Sequence, residues 1–246
     1  MKIPQGRFLG AFLGTFALTF GVLGVLGVFS PLQAADVSLN PKETALILVD
    51  YQNEFAVETG KLNGIVKDEI KRLNVHANTT ELVRQARQKG VLVVFVVSEY
   101  SADYRELDMT NPGLFHRIVT RFKAFQPGTP GIQIYEPIKP GPNDKDIVLR
   151  PRAEMSGFKS TGLNYILRSK GIKNVGIAGF VTNICVEATA RDAFDFGFHV
   201  YNLVDAMAAK SKVEQDFAEG NNLSYVGKNL GSKDFMAMIG TASGAR

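Results

Sequence analysis

One cysteine, one acid and two neighbouring arginines are the residues of this chain whose types and placement point to covalent chemistry. Cys185 is the sole cysteine among 246 residues, in the stretch Gly179-Phe180-Val181-Thr182-Asn183-Ile184-Cys185-Val186-Glu187. Thr182 or Asn183 is placed to cap a following helix, which would set Cys185 in its first turn. Free N–H groups and the helix dipole there predict a lowered thiol pKa and a thiolate nucleophile. Position alone equally fits a small buried apolar cysteine. Asp50 closes an apolar run and precedes Tyr51-Gln52-Asn53-Glu54-Phe55; a carboxylate there serves a thiol as general base, or serves only its own turn. Arg150 and Arg152, in Leu149-Arg150-Pro151-Arg152, offer a fixed cation that would stabilise both anions, or are ordinary solvated charges.

These residues need elements to carry them. Ala45 to Val49 is a short apolar run suited to a buried strand, and Val91 to Val97 is a second. Residues 66–89 have helical spacing that stops at Gly90. Residues 98–145 read as loops, punctuated by Pro-Gly pairs at 112, 127, 130 and 140. Asp146 to Leu149 is a third strand, 160–170 a helix, Asn174 to Ala178 a fourth strand, 184–196 a helix, and Phe198 to Val204 a fifth strand ending at Asp205. One or two helices and a short sixth strand complete the chain. This alternation predicts an α/β fold of three layers, with a mainly parallel, roughly six-stranded sheet between helices. Ligands in such sheets bind beyond the carboxyl ends of the strands, where Asp50, Arg150, Cys185 and Asp205 all fall.

Several classes of function are disfavoured. The net charge of +4 includes Lys2 and Arg7, and the chain beyond residue 34 is near neutral, so no nucleic-acid partner is expected. One cysteine and the scattered His76, His116 and His199 lack zinc-ligand spacing, so neither metal nor cofactor is expected. The G-x-S-x-G, G-x-G-x-x-G and phosphate-loop motifs are missing from the sequence.

The N-terminus reads as an address. Lys2 and Arg7 precede the uncharged stretch Phe8 to Phe29, and small residues at Ala34 and Ala35 mark a cleavage point. The stretch exceeds the roughly 7–15 residues of a typical signal core and reaches the roughly 18 residues that span a bilayer. A cleaved signal over 1–34 is the favoured expectation, and an uncleaved membrane anchor through 8–29 is the alternative. Both export the remainder, to the periplasm or the medium, where an unpaired thiol is better explained by function than by chance.

Taken together, these pieces resemble the isochorismatase-like cysteine hydrolases, a group that includes nicotinamidases, N-carbamoylsarcosine amidases and ureidoacrylate amidases. The resemblance spans roughly residues 43–240. It rests on Leu48-Val49-Asp50-Tyr51-Gln52-Asn53-Glu54-Phe55, Gly128-Thr129-Pro130-Gly131, Ser156-Gly157-Phe158 with Thr161 and Leu163, and Ala178 through Val186 continuing to Thr189, Asp192, Gly197 and Asp205-Ala206. It makes 35–246 one hydrolase domain and implies a small-molecule substrate and a homo-oligomer. The family acid matches Asp50 and the nucleophile Cys185. The family lysine, usually in K-x-R-x-S-x-F, has no counterpart before Phe158. Arg150 takes its place if local order is kept with two inserted residues, and Arg152 if spacing from Phe158 is kept; Arg150 is favoured.

The resemblance further implies a cis peptide between Phe180 and Val181, an oxyanion hole from the Val181 and Cys185 amides, and a substrate pocket touching Gln52, Phe55, Phe158 and Phe180. Nicotinamidases place metal-binding His residues near the second strand, where this chain has Ser98-Glu99-Tyr100-Ser101-Ala102-Asp103. The expected activity is cleavage of a C–N bond in a small amide, carbamoyl or ureido compound through a thioester. Vinyl-ether hydrolysis and non-catalytic binding on the same fold are the alternatives. If the leader is cleaved, N-terminal sequencing of the exported protein should begin near Ala35; an intact Met1 on a membrane-bound protein would establish the anchor instead.

Overall fold

A computed structural model describes residues 38–240. The signal or anchor over 1–34 lies outside these residues. Among the described residues no helix is long and apolar enough to cross a membrane.

The strands, in chain order, are β1 Thr44–Val49, β2 Leu92–Val96, β3 Ile147–Leu149, β4 Asn174–Phe180, β5 His199–Ala208 and β6 Lys228–Leu230. They form one six-stranded sheet in the order β3-β2-β1-β4-β5-β6, and every pairing is parallel. The helices are α1 Asn53–Ala56, α2 Asn63–Arg72, α3 Val75–Lys89, α4 Leu114–Phe122, α5 Leu163–Ser169, α6 Glu187–Asp195, α7 Lys212–Phe217, α8 Ser224–Val226 and α9 Ser232–Met238.

Every residue of β1 and β4 is buried, as central parallel strands covered on both faces require. Along β1, Leu46 and Leu48 join one apolar cluster with α3 and α9, while Ala45, Ile47 and Val49 join the other with α5 and α6. The period of two thus feeds two cores, one on each side of the sheet. The strand order reverses direction at β1 and β4, which puts the crevice between their carboxyl ends.

The helix expected over 66–89 is two helices, because Asn74 adopts a left-handed conformation (φ 53°) between α2 and α3. The region read as loops contains α4, whose apolar side later proves to wall the site. The fifth strand runs on past Asp205 to Ala208, because its register against β4 shifts between Ile177 and Gly179 and leaves extra residues bulged out. Asp205 is in that bulge and accepts from the Ser232 N–H (2.7 Å) and hydroxyl (2.9 Å), so it anchors α9 and does not face the crevice chemistry.

Two conformational constraints bring β1 and β4 together at their ends. Asp50 has φ 52°, in the left-handed region. Gly179, paired with Val49, has φ 131°, and a Cβ on it would fall 1.9 Å from the Val49 carbonyl oxygen. Gly179→Ala should therefore lose at least about 3 kcal/mol of stability or fail to fold, since φ and packing both oppose it. Gly64→Ala, in α2 with open space around it, should gain about 0.5 kcal/mol. Urea unfolding of the two variants would check the contrast.

Candidate active site

β1 and β4 deliver the acid and the cysteine from adjacent strands. Asp50 follows β1, held by its N–H to the Val96 carbonyl (2.9 Å). After β4 the chain passes through a cis Phe180–Val181 bond, as the resemblance implied, into a π-helical turn, Thr182–Val186, that precedes α6. Cys185 sits in this wide turn, not in the first turn of an α-helix. Thr182 and Asn183 make no cap there: the Thr182 hydroxyl donates to Gln215 (2.8 Å), and Asn183 donates to Glu214 (3.2 Å).

The structure reverses the assignment of the two arginines. Arg150 is on the surface, where its guanidinium approaches Glu99 at 3.6 Å. Arg152 is fully buried and pairs with the Asp50 carboxylate through Nη2, while Nη1 donates to the Glu154 and Met155 carbonyls. Both partners are 0–1% exposed, so each charge depends on the other for the solvation it has lost. Spacing from Phe158, not local order, was the informative signal. That spacing is fixed because the Gly157 N–H donates to the Thr189 hydroxyl (2.9 Å), which in turn donates to the Cys185 carbonyl (2.7 Å). The Ser156-Gly157-Phe158 block is thus tied directly to the nucleophile turn.

Ser98, at the exit of β2, completes the cluster and was not singled out by the sequence. Its hydroxyl donates to Asp50 Oδ1 (2.9 Å) and accepts from Arg152 Nη2 (3.0 Å). Gln52 holds Ser98 in place: its Oε1 accepts from the Ser98 N–H (2.8 Å), and its Nε2 donates to the Ser98 and Ile132 carbonyls (2.9 and 3.0 Å). This explains the Asp-x-Gln spacing, since residues 50 and 52 engage the same partner from one strand end.

The surroundings of the thiol oppose its ionisation. Cys185 is 2% exposed, and its pKa is raised above the ordinary thiol range by burial first, then by the Asp50 charge, with Arg152 pulling the other way. Helix N–H groups and dipole were expected to lower it, but Cys185 lies in a π-helical turn, and burial and an adjacent anion raise it. On Arg152, burial works against the charge, but the Asp50 carboxylate overcomes it and its pKa is raised. The arrangement is a thiol whose ionisation is opposed, next to a carboxylate paired with a buried cation.

Beside Cys185 opens a cavity of about 610 Å³. α4 supplies Leu114, Phe115, Ile118 and Val119 to its wall; Phe55 of α1, Leu62 just before α2 and Ile65 of α2 also line it; Val181 and Ile184 come from the start of the nucleophile turn. Of the four pocket residues expected, only Phe55 is there. Gln52 is consumed by Ser98. Phe180 is buried under Tyr51, with ring centroids 4.6 Å apart. Phe158 packs away from the cavity, 5.4 Å from Phe196 and 6.0 Å from Phe198, in the core cluster that also includes Cys185. Motif membership does not reveal which core a side chain enters.

The exit of β2 does not fit a metal. It carries no histidine, Glu99 faces Arg150, and Asp103 accepts from Arg105 at 2.9 Å; among the described residues no three His, Cys, Asp or Glu converge to hold an ion. The Gly128-Thr129-Pro130-Gly131 block has a structural role. A Cβ on Gly131 would collide with the Glu54 carboxylate at 2.5 Å. That buried carboxylate accepts the Phe125 and Lys61 N–H groups (3.0 and 2.9 Å).

Removing Arg152 leaves Asp50 charged and unpaired in the interior. Arg152→Met should cost about 3–5 kcal/mol, whereas Arg150→Met should stay within about 0.5 kcal/mol. Ser98→Ala should cost about 1–2 kcal/mol through the hydrogen bond lost at Asp50. Urea midpoints of the three variants would test this ranking, and equal losses for Arg150 and Arg152 would contradict it.

Residues 44–228 match the isochorismatase domain family model. The ureidoacrylate amidohydrolase RutB of Rhizobium rhizogenes is 28% identical over 227 residues, covering 87% of this chain and 90% of that protein. The ureidoacrylate amidohydrolase RutB of Agrobacterium fabrum is 30% identical over 186 residues, covering 72% and 80%. Among solved structures, N-carbamoylsarcosine amidase from Thermoplasma acidophilum superposes with a TM-score of 0.59 at 25% identity, covering 77% of this chain and 96% of that one. The chain belongs to the isochorismatase domain family and is a hydrolase acting on non-peptide C–N bonds.

Proposed function

We propose that Cys185 is the nucleophile, Asp50 its general base, and Arg152 the fixed cation in the hydrolysis of a small amide, carbamoyl or ureido compound. The observation that carries this is the buried Asp50–Arg152 pair set against the one thiol at the floor of the cavity.

Asp50 takes the thiol proton as the sulfur attacks the substrate carbonyl carbon. The Val181 and Cys185 amides receive the carbonyl oxygen, where negative charge develops. As the tetrahedral species collapses, the C–N bond breaks and Asp50 returns the proton to the leaving nitrogen. Water then attacks the thioester, Asp50 accepts its proton, and the acid product leaves with the thiol restored. Deprotonation is coupled to attack, so the thiol need not be ionised beforehand. Arg152 acts by charge alone: a guanidinium does not give up its proton in a protein. It supplies the cation that the absent lysine otherwise would.

The Lys2/Arg7 leader supports an exported enzyme, and the family resemblance supports a homo-oligomer.

Cys185→Ala should abolish turnover, read as ammonia release, with its unfolding midpoint little changed; near wild-type turnover would remove the thiol from the mechanism. Asp50→Asn should separate two readouts. Hydrolysis should fall by orders of magnitude, while alkylation of Cys185 should shift to lower pH, because loss of the Asp50 charge removes one of the influences holding the thiol pKa up. Alkylation moving to higher pH in that variant would contradict the proposed pairing.

A further inference from the structure

The cavity beside Cys185 constrains the substrate more closely than the reaction class does. Its walls are aliphatic and aromatic on three sides, from α4, from α1 and α2, and from the nucleophile turn. Its charged groups are Lys210 and Glu214, one of each sign. Lys210 is exposed and Glu214 half-buried, so both belong to the mouth and neither gives the interior a net charge. A carboxylate carried inside would lose its hydration against apolar walls with no cation of its own.

Besides Lys210 and Glu214 the wall carries two polar side chains, His116 and Asn183, and the buried polar atom left without a partner is on Asn183. Asn183 Nδ2 donates to Glu214 (3.2 Å). A carboxylate only accepts, so this contact fixes which end of the Asn183 amide is which. Asn183 Oδ1 is then buried without a partner. A buried acceptor left open is costly in the resting protein, and it lies two residues from the nucleophile, where it can take an N–H from the reacting amide.

We propose that the preferred substrate is an uncharged amide with an apolar body, its N–H accepted by Asn183 and its body seated between Ile118 of α4 and Phe55 of α1. This rests on the reading of Cys185 as the reacting group and narrows it to a class of substrate. Amides that carry an acid are disfavoured. Each methylene buried is worth about fourfold in affinity, so chain length is the sensitive variable.

The test is binding, so that it stands apart from turnover. Acetamide, butanamide and hexanamide, with succinamate as a charged amide matched in size to hexanamide, would be titrated into the full-length Cys185→Ala protein. The same compounds would be used to protect Cys185 of the wild-type protein from alkylation. Affinity should rise about fourfold per methylene, and succinamate should bind at least tenfold more weakly than hexanamide. Ile118→Asp should flatten the dependence on chain length. Asn183→Ala should weaken all uncharged amides by about fivefold, one hydrogen bond's worth, and leave that dependence intact. Affinity that is flat with chain length, or succinamate binding as tightly as hexanamide, would overturn the proposal. Amides that bind in this order but are not hydrolysed by the wild type would instead overturn the catalytic reading and leave the cavity assignment standing.

Discussion

The buried ion pair between Asp50 and Arg152 is the interaction on which the rest of this site depends. Two charges without solvent contact depend on each other and on nearby polar groups for the solvation they have lost, and here every contact of Arg152 is made by Nη1 and Nη2, while its buried Nε has no partner among the described residues. Arg152 meets Asp50, Ser98 and two backbone carbonyls; Asp50 meets Arg152 and Ser98. Around this pair the carboxyl ends of β1, β2 and β4 and the loop after β3 have to converge. Gln52 fixes the β2 exit, Thr189 fixes the loop after β3, and Gly179 lets β4 pass close against Val49. What the motifs share is this convergence, and several of their residues never face the cavity.

The pair also bears on the ionisation of the cysteine. An anion beside a buried thiol opposes its ionisation, and Arg152 offsets that only in part. Arg152 and Ser98 both engage the Asp50 carboxylate. The proton moves only when a carbonyl is in place to accept the sulfur's electrons, which keeps an unpaired thiol quiet until substrate arrives.

Much of the fold was legible because the central strands are continuous apolar runs bounded by glycine or acid, and buried parallel strands are built that way. Where the reading failed, a conformational feature without a compositional mark was responsible. Asn74 splits one helical pattern by a left-handed backbone, and the bulge in β5 carries the strand past an aspartate that looked like its end. α4 was hidden among Pro-Gly pairs that bound it without entering it. In the site, Asp50 and Cys185 stood out by type and position. Arg150 was preferred over Arg152 because local order was weighed above distance to Phe158; the Gly157–Thr189–Cys185 chain of hydrogen bonds, which sets that distance, has no signature in composition. Ser98 was visible only as the residue after a strand. The direction of the thiol shift was misjudged because helix dipoles can be read from sequence and burial beside an anion cannot.

The central claim is that the one thiol is neutral while its neighbour Asp50 carries the charge. Because the chain has a single cysteine, an infrared difference spectrum between wild type and Cys185→Ala at neutral pH isolates that sulfur. The account predicts an S–H stretching band in the difference that persists through neutral pH and disappears only under alkaline conditions. A difference spectrum with no S–H band at neutral pH would mean a resting thiolate and would contradict it.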